Sequence, residues 1–193
     1  MIRDFKYHGK SHMARVFAQI ICDKIEAVTV SSSKTDNRRS GRSSDTDAVK
    51  LTFDMLIPVP MFSEKEKKRG YNQATLLAQY TAEGLGIPCR TDILMRVRNT
   101  APMNKLGIKE REENLKGAFR LRYGTEEYIA GKHILLIDDI YTTGATAQQC
   151  SIVLKRAGAS KITVMSLASG RNQRVLPDIT KVHFEDEFKE QKV

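Results

Sequence analysis

The stretch His133–Thr146, HILLIDDIYTTGAT, decides how this chain is read. Four apolar residues, Ile134 to Ile137, run straight into two carboxylates, Asp138 and Asp139, and a short polar loop, Tyr141–Thr146, follows. Cys150, Val153, Leu154 and Ala157 then fall at i, i+3, i+4 and i+7, one face of a helix. Lys155 and Arg156 occupy its last turn and Gly158 its C′ position, an ordinary stop signal. Lys161–Ala168 (KITVMSLA) reads as a second buried strand. Strand, loop, helix and strand in that order form the crossover unit of a parallel sheet, so the expected fold class is α/β.

The loop suggests what such a unit binds. Where a strand ends and a helix begins, free backbone N–H groups and the positive end of the helix dipole gather, and both favour a phosphate. Thr142, Thr143 and Thr146 add hydroxyl donors, Ala145 is small, and Gly144 lets the backbone approach an anion closely. Asp138 and Asp139 repel phosphate and need another partner, either sugar hydroxyls or a metal. A ligand with a phosphate at one end and a diol beside it fits, which is a ribose 5-phosphate. The bland alternative is a solvated acidic turn at a strand end. A phosphoacceptor pocket also uses paired aspartates, but has no need of a TTGAT loop. Walker and GxGxxG phosphate motifs are absent from this position.

Outward from this unit, 193 residues suit one domain with a sizeable core. No apolar run reaches the length of a membrane helix, and MIRDFKYHGK at the start has no apolar secretion signal. Cys22, Cys89 and Cys150 are isolated thiols, which points to a reducing cytoplasm and away from structural zinc. The net charge of +9 calls for an anionic partner, with nucleotide sugars, diphosphate and nucleic acid all eligible.

Met1–Glu26 reads as helical, with Met13, Val16, Phe17, Ile20 and Lys24 in one stripe and Ile21 beside it. His8 and His12 share a face but lack further ligands, so solvated histidines are the expectation. Ser31–Val49 has no hydrophobic period and reads as a flexible insertion. Leu51, Phe53, Met55 and Ile57 alternate along a strand stopped by Pro58-Val59-Pro60. A basic run follows, Lys65, Lys67, Lys68 and Arg69, then Gly70-Tyr71-Asn72-Gln73. Asn72 is placed to cap a helix over Gln73–Glu83, with Leu76, Leu77 and Tyr80 inward and Gly84 and Gly86 at its end. Beside the threonine loop, the basic run reads as a second anion site. Ile93–Val97 is a strand, Ile108–Leu115 a short helix, and Phe119–Arg122 a returning strand. Met61–Arg122 holds 13 Lys+Arg against 7 Asp+Glu, so +6 of the net charge lies on segments expected near the ligand. Gly170–Val193 receives no function.

Asp138-Asp139-Ile140-Tyr141-Thr142-Thr143-Gly144-Ala145-Thr146 after a hydrophobic strand resembles the ribose-phosphate loop of type I phosphoribosyltransferases. Two further stretches narrow the likeness. They are Val59-Pro60 with Arg69-Gly70-Tyr71-Asn72-Gln73, and Thr100-Ala101-Pro102 through Leu106, Arg111 and Asn114 to Gly117-Ala118-Phe119. Together the three resemble the competence protein F (ComF-like) family, from Phe5-Lys6-Tyr7 to about Ser169. Two departures stand out: the cysteine-rich zinc module that opens typical members is lacking, and Met103 stands where a Gln is usual.

The resemblance implies a type I phosphoribosyltransferase-like parallel sheet flanked by helices, with a small N-terminal hood. It implies a ligand, 5-phosphoribosyl 1-diphosphate (PRPP), with Val59–Tyr71 as the diphosphate loop and Asn99–Asn114 as a mobile loop closing over the site. Asp138 and Asp139 would bind the ribose hydroxyls and Thr142–Thr146 the 5-phosphate. Mg2+ would be carried mainly on ligand oxygens. Arg69, Lys67 and Lys68 would neutralise the leaving diphosphate, and Lys105 and Arg111 would bring charge on the mobile loop. Thr142 stands where purine-salvage relatives place an Asp, which argues against ordinary oxopurine salvage, and no glutaminase segment accompanies the chain. Partners implied by the family are single-stranded DNA and a helicase-like competence ATPase, and a homodimer is left open.

Overall fold

The computed structural model describes residues 13–32, 52–100, 107–141, 143–169 and 180–181. Its centre is a sheet ordered β1-β4-β5-β6, made of β1 (Met55–Pro58), β4 (His133–Tyr141), β5 (Lys161–Ser169) and β6 (Thr180–Lys181). β1, β4 and β5 are mutually parallel, and β6 closes the edge antiparallel to β5. Both faces of the parallel strands are covered, so their sequences read as nearly continuous apolar runs. Met55, Ile57, Ile134, Leu136, Ile162 and Val164 face one core, and Leu56, Leu135, Ile137 and Met165 face the other.

The second core is closed by α1 (Met13–Ser32) and α3 (Gln73–Leu85). The first is closed by α5 (Ala145–Arg156) together with a hairpin of β2 (Leu94–Arg96) and β3 (Phe119–Leu121). α4 (Ile108–Leu115) lies between the two hairpin strands in sequence and packs on α5. The strand–loop–helix–strand unit expected around the Asp pair is therefore present, and so is the parallel α/β sheet.

Several expectations need correction. The stripe of α1 is out of phase. Ala14, Phe17, Ala18, Ile21, Cys22 and Ile25 are buried, whereas Val16 and Ile20 are 63% and 53% exposed. α1 continues through Ser32, into the segment expected as a loop, and residues 33–49 lie outside those described. The alternating strand expected over Leu51–Pro58 is shorter, Met55–Pro58, and all four of its residues are buried, because it lies inside the sheet between β4 and the bridge partner Cys89. Gly84 is not a stop signal but sits inside α3, where a Cβ would stand 2.9 Å from the Cys22 sulfur of α1; Gly86 caps the helix. His8 and His12 lie outside the described residues, as does most of Gly170–Val193. Among the described residues no helix is long and apolar enough to cross a membrane.

Candidate active site

Parallel strands present ligands at their carboxyl ends, and here two of those ends adjoin. Pro58 of β1 is in register with Ile137 of β4, and the Val59 N–H donates to the Ile137 carbonyl at 2.8 Å. Val59 and Pro60 thus stand beside Asp138 and Asp139. The Asn72 side chain, itself buried, donates from Nδ2 to the Val59 carbonyl at 3.0 Å, and its Oδ1 accepts the Ala74 N–H as the N-cap of α3. Gln73, also buried, accepts a hydrogen bond from Arg69 Nη1 at 2.7 Å.

The basic run between these residues is not an open loop. Ser63–Arg69 form a short helix, α2, with no buried residue, ending at Gly70 in the left-handed region. Lys67, Lys68 and Arg69 are its last turn, where cations complement the carbonyl end of the dipole. Lys67 and Lys68 are exposed, and Arg69 is half-buried.

β4 runs through both carboxylates to Tyr141, with Asp138 opposite Ser166 of β5. Side chains alternate along a strand. Asp138 continues the Ile134–Leu136 side and is buried at 8% exposure, while Asp139 continues the Leu135–Ile137 side and is half-buried. Each carboxylate accepts the next residue's N–H, from Asp139 to Asp138 Oδ1 at 2.9 Å and from Ile140 to Asp139 Oδ1 at 2.8 Å. The two acids are thus not equivalent, as reading them as a pair implied.

α5 begins at Ala145 with Gly144 as its N-cap, at φ +80° and with no side-chain cap. A side chain at Gly144 would be strained by that φ and would collide with the Tyr141 ring, whose Cζ lies 2.7 Å from the position of a Cβ. Thr143 and Thr146 flank this turn, both half-buried. Thr142 and Lys105 fall outside the described residues. Arg111 lies half-buried on α4, its N–H donating to Gly107 O at 3.0 Å.

Sequence reasoning missed Arg96. This residue of β2 donates from Nη2 to Thr100 Oγ1, lies 5.5 Å from the Phe119 ring centroid, and buries an Nε that has no partner among the described residues. Lys65 Nζ donates to the Thr100 carbonyl at 3.3 Å. The buried Thr100 therefore anchors the start of the Asn99–Asn114 connection against α2. Burial lowers the Arg96 pKa from the ordinary arginine value, against the pull of the Cys150 sulfur and the Asp138 carboxylate. Burial, then the nearby Arg96 and Arg69 charges, lower that of Lys65. Like charges crowd here, which is what an anion relieves. The signal available in the sequence was a single Arg in an otherwise apolar strand, Leu94-Met95-Arg96-Val97.

Among the described residues no group of three or more His, Cys, Asp or Glu is arranged to hold a metal. Asp138 and Asp139, at the carboxyl end of β4, would suit only an ion that brings most of its oxygen ligands with it.

Residues 72–192 match the model of the phosphoribosyl transferase domain family. The chain belongs to that family. This phosphoribosyl transferase domain is similar to competence protein F of Haemophilus influenzae, 38% identical over 115 residues, which are 60% of this chain and 50% of the relative. It is equally similar to the DNA utilization protein YhgH of Salmonella typhi, 38% identical over 114 residues, 59% of this chain and 48% of the relative. These similarities bear out the resemblance carried by the three sequence stretches. The chain spans about half the length of these curated relatives. Among solved structures it is similar to a purine phosphoribosyltransferase from Pyrococcus horikoshii, at 14% identity and a TM-score of 0.42, covering 80% of this chain and 78% of that one. Nothing about substrate follows from so loose a superposition.

Proposed function

We propose that this phosphoribosyl transferase domain binds PRPP with Mg2+ and transfers its phosphoribosyl group to an acceptor, releasing diphosphate. The observation that carries the reading is the meeting at one end of the sheet of the Asp138–Asp139 strand end, the α5 N-terminus, and the Val59–Gln73 segment with its basic helix. One end suits a 5-phosphate, the other a diphosphate, and the carboxylates between them suit ribose hydroxyls.

In the reaction, the C1–oxygen bond to diphosphate breaks with its electron pair leaving on oxygen. The acceptor's lone pair forms the new bond to C1, and the acceptor gives up a proton. Arg69, Lys67 and Lys68 neutralise the leaving group, with Lys65 and Arg96 close by. Asp138 and Asp139, together with ligand oxygens, would hold Mg2+, and the ion would supply further charge neutralisation. Lys105 and Arg111 on the Asn99–Asn114 connection bring charge as it closes and excludes water from the cationic sugar. Thr142 cannot serve as a base at neutral pH, so proton removal falls to another group or to solvent.

The test is release of diphosphate from PRPP with magnesium across a panel of nucleobases and small amines. Release with at least one acceptor supports transfer. Tight PRPP binding with no release across the panel contradicts it and leaves a PRPP sensor.

The sensor is the second reading: a cytoplasmic, non-catalytic module of DNA uptake, associated with single-stranded DNA and a helicase-like competence ATPase. The relatives' names motivate it, and one observation favours it. Tyr123 is 98% exposed in the turn just past β3 and next in sequence to the exposed Arg122, so a ring able to stack on a base follows a cation able to meet a phosphate. Affinity for a single-stranded oligonucleotide should then fall steeply with salt and weaken in Tyr123→Ala. Salt-independent binding, or none at low salt, contradicts it.

A further inference from the structure

We propose that Tyr141 is a further ligand-contacting residue of this site, its phenol hydroxyl being the side-chain donor that completes the phosphate cradle at the start of α5. The inference rests on the phosphoribosyl reading above and adds a residue to it.

The motif reading assigns the cradle to hydroxyls of Thr142, Thr143 and Thr146 and to backbone N–H groups, and gives Tyr141, the first residue of the polar loop, no part in it. Its placement says otherwise. Tyr141 is held by the strand, in register with Ser169 of β5, and its ring packs against the core cluster that α5 shares with the sheet. From there the ring turns back over Gly144. Its Cε2 and Cζ lie 3.2 and 2.7 Å from where a Gly144 Cβ would be, and the hydroxyl is closer still.

Gly144 is the N-cap of α5 and brings no capping side chain. At most helix starts a Ser, Thr, Asp or Asn oxygen stands at that point. Here the space is taken by a phenol hydroxyl reaching in from three residues earlier. A hydroxyl both donates and accepts. Beside the first N–H groups of a helix, an anion receives the N–H bonds and the O–H bond together. Because the ring is fixed by core packing on one side and by the strand on the other, the hydroxyl does not swing away when a ligand arrives. A phosphate settling on the α5 N-terminus meets it as a donor rather than displacing it as a plug.

The test uses the full chain and Tyr141→Phe, which keeps the ring and removes only the hydroxyl. Calorimetric titration with ribose 5-phosphate should show binding about tenfold weaker in the variant, the scale of one hydrogen bond to a charged group. Magnesium diphosphate alone, assigned to the other end of the site, should bind both proteins equally, and melting temperatures should agree. Unchanged ribose 5-phosphate affinity in Tyr141→Phe overturns the inference. Tighter binding overturns it as well, since the hydroxyl would then be an obstruction. Equal loss of both ligands, or a lower melting temperature, shows a packing role and overturns it too. If the unaltered chain binds magnesium diphosphate but not ribose 5-phosphate, the phosphoribosyl reading itself falls, and this inference with it.

Discussion

Asn72 Nδ2 donates to the Val59 carbonyl at 3.0 Å while Asn72 Oδ1 accepts the Ala74 N–H at 3.1 Å. One buried side chain thus caps α3 and ties it to the end of β1, so the basic helix between them is held at both ends. Asn72→Ala removes the cap, at about 1 kcal/mol, and leaves a buried carbonyl unpaired, at about 1–3 kcal/mol. The melting temperature should drop by roughly 4–16 °C, at about 2–4 °C per kcal/mol for a chain of this size. Asn72→Ser restores the cap but not the reach to Val59, and should recover only part of the loss. Thermal unfolding of the two variants checks this.

His133, the first residue of β4, sits 4.7 Å from the Phe53 ring by centroids and 3.0 Å by Nε2 from Thr163 Oγ1. Burial, then the Lys161 charge, lower its pKa below the ordinary 6.5. The unfolded chain therefore binds this proton more readily than the folded one. Stability from this residue is complete above about pH 6.5 and declines as pH falls from there through the lower folded value. Thermal unfolding between pH 7.5 and 5 should show that decline, and His133→Gln should flatten it. Equal slopes in the two proteins would contradict the assignment.

How far the sequence was legible depended on whether a contact is local. Ile134–Ile137 and Lys161–Ala168 read correctly because strands buried on both faces carry a signal no register error can hide. Asn72 and the α4 helix read correctly because caps and short periodic segments are local. The α1 stripe did not, because Val16 and Ile20 are apolar yet exposed, and a count of apolar residues cannot tell which of two overlapping faces meets the sheet. α2 was missed because SEKEKKR has no apolar period, being set by Gly70 and by i to i+4 bonds such as Glu66 N–H to Phe62 O. Arg96 and Tyr141 were missed because their partners in space, Thr100 with Lys65 and Gly144, matter only once the chain has turned back on itself. Asp138 and Asp139 were taken as equals, since only the extension of β4 to Tyr141 separates their faces.

The three thiols of the chain should be inert in the native state. Cys150 is fully buried on α5, where burial and then Asp138 raise its pKa well above the ordinary value. Burial, then Glu26 and Asp23, raise that of Cys22, and burial pushes Cys89 to about 11. At pH 8 roughly one Cys89 in a thousand is then thiolate, the reactive form. A disulfide reagent at pH 8 should label the folded protein slowly and all three thiols at once after denaturation. Rapid labelling of one thiol in the native protein would contradict the burial described here.

Thr143→Val tests the cradle more gently than any change in charge. Backbone N–H groups at the α5 N-terminus remain, so the loss should be that of one neutral hydrogen bond, about 0.5–1.5 kcal/mol. That is roughly a two- to twelvefold fall in affinity for ribose 5-phosphate, with the melting temperature unchanged. Competition titration measures it, and an unchanged affinity would remove Thr143 from the site.

The central claim is that the carboxylates at the end of β4 hold the ribose of PRPP, and Asp139, half-buried rather than enclosed, reports on it most cleanly. The deciding measurement is calorimetric titration with PRPP and magnesium of the unaltered chain and of Asp139→Asn, alongside their melting temperatures. The substitution keeps the shape and removes the charge. Loss of one charged contact costs about 1.5–3 kcal/mol, so affinity should fall by about one to two decades while the melting temperature holds. Unfolding at lower temperature with unchanged affinity, or no binding of PRPP by the unaltered chain, would contradict the account.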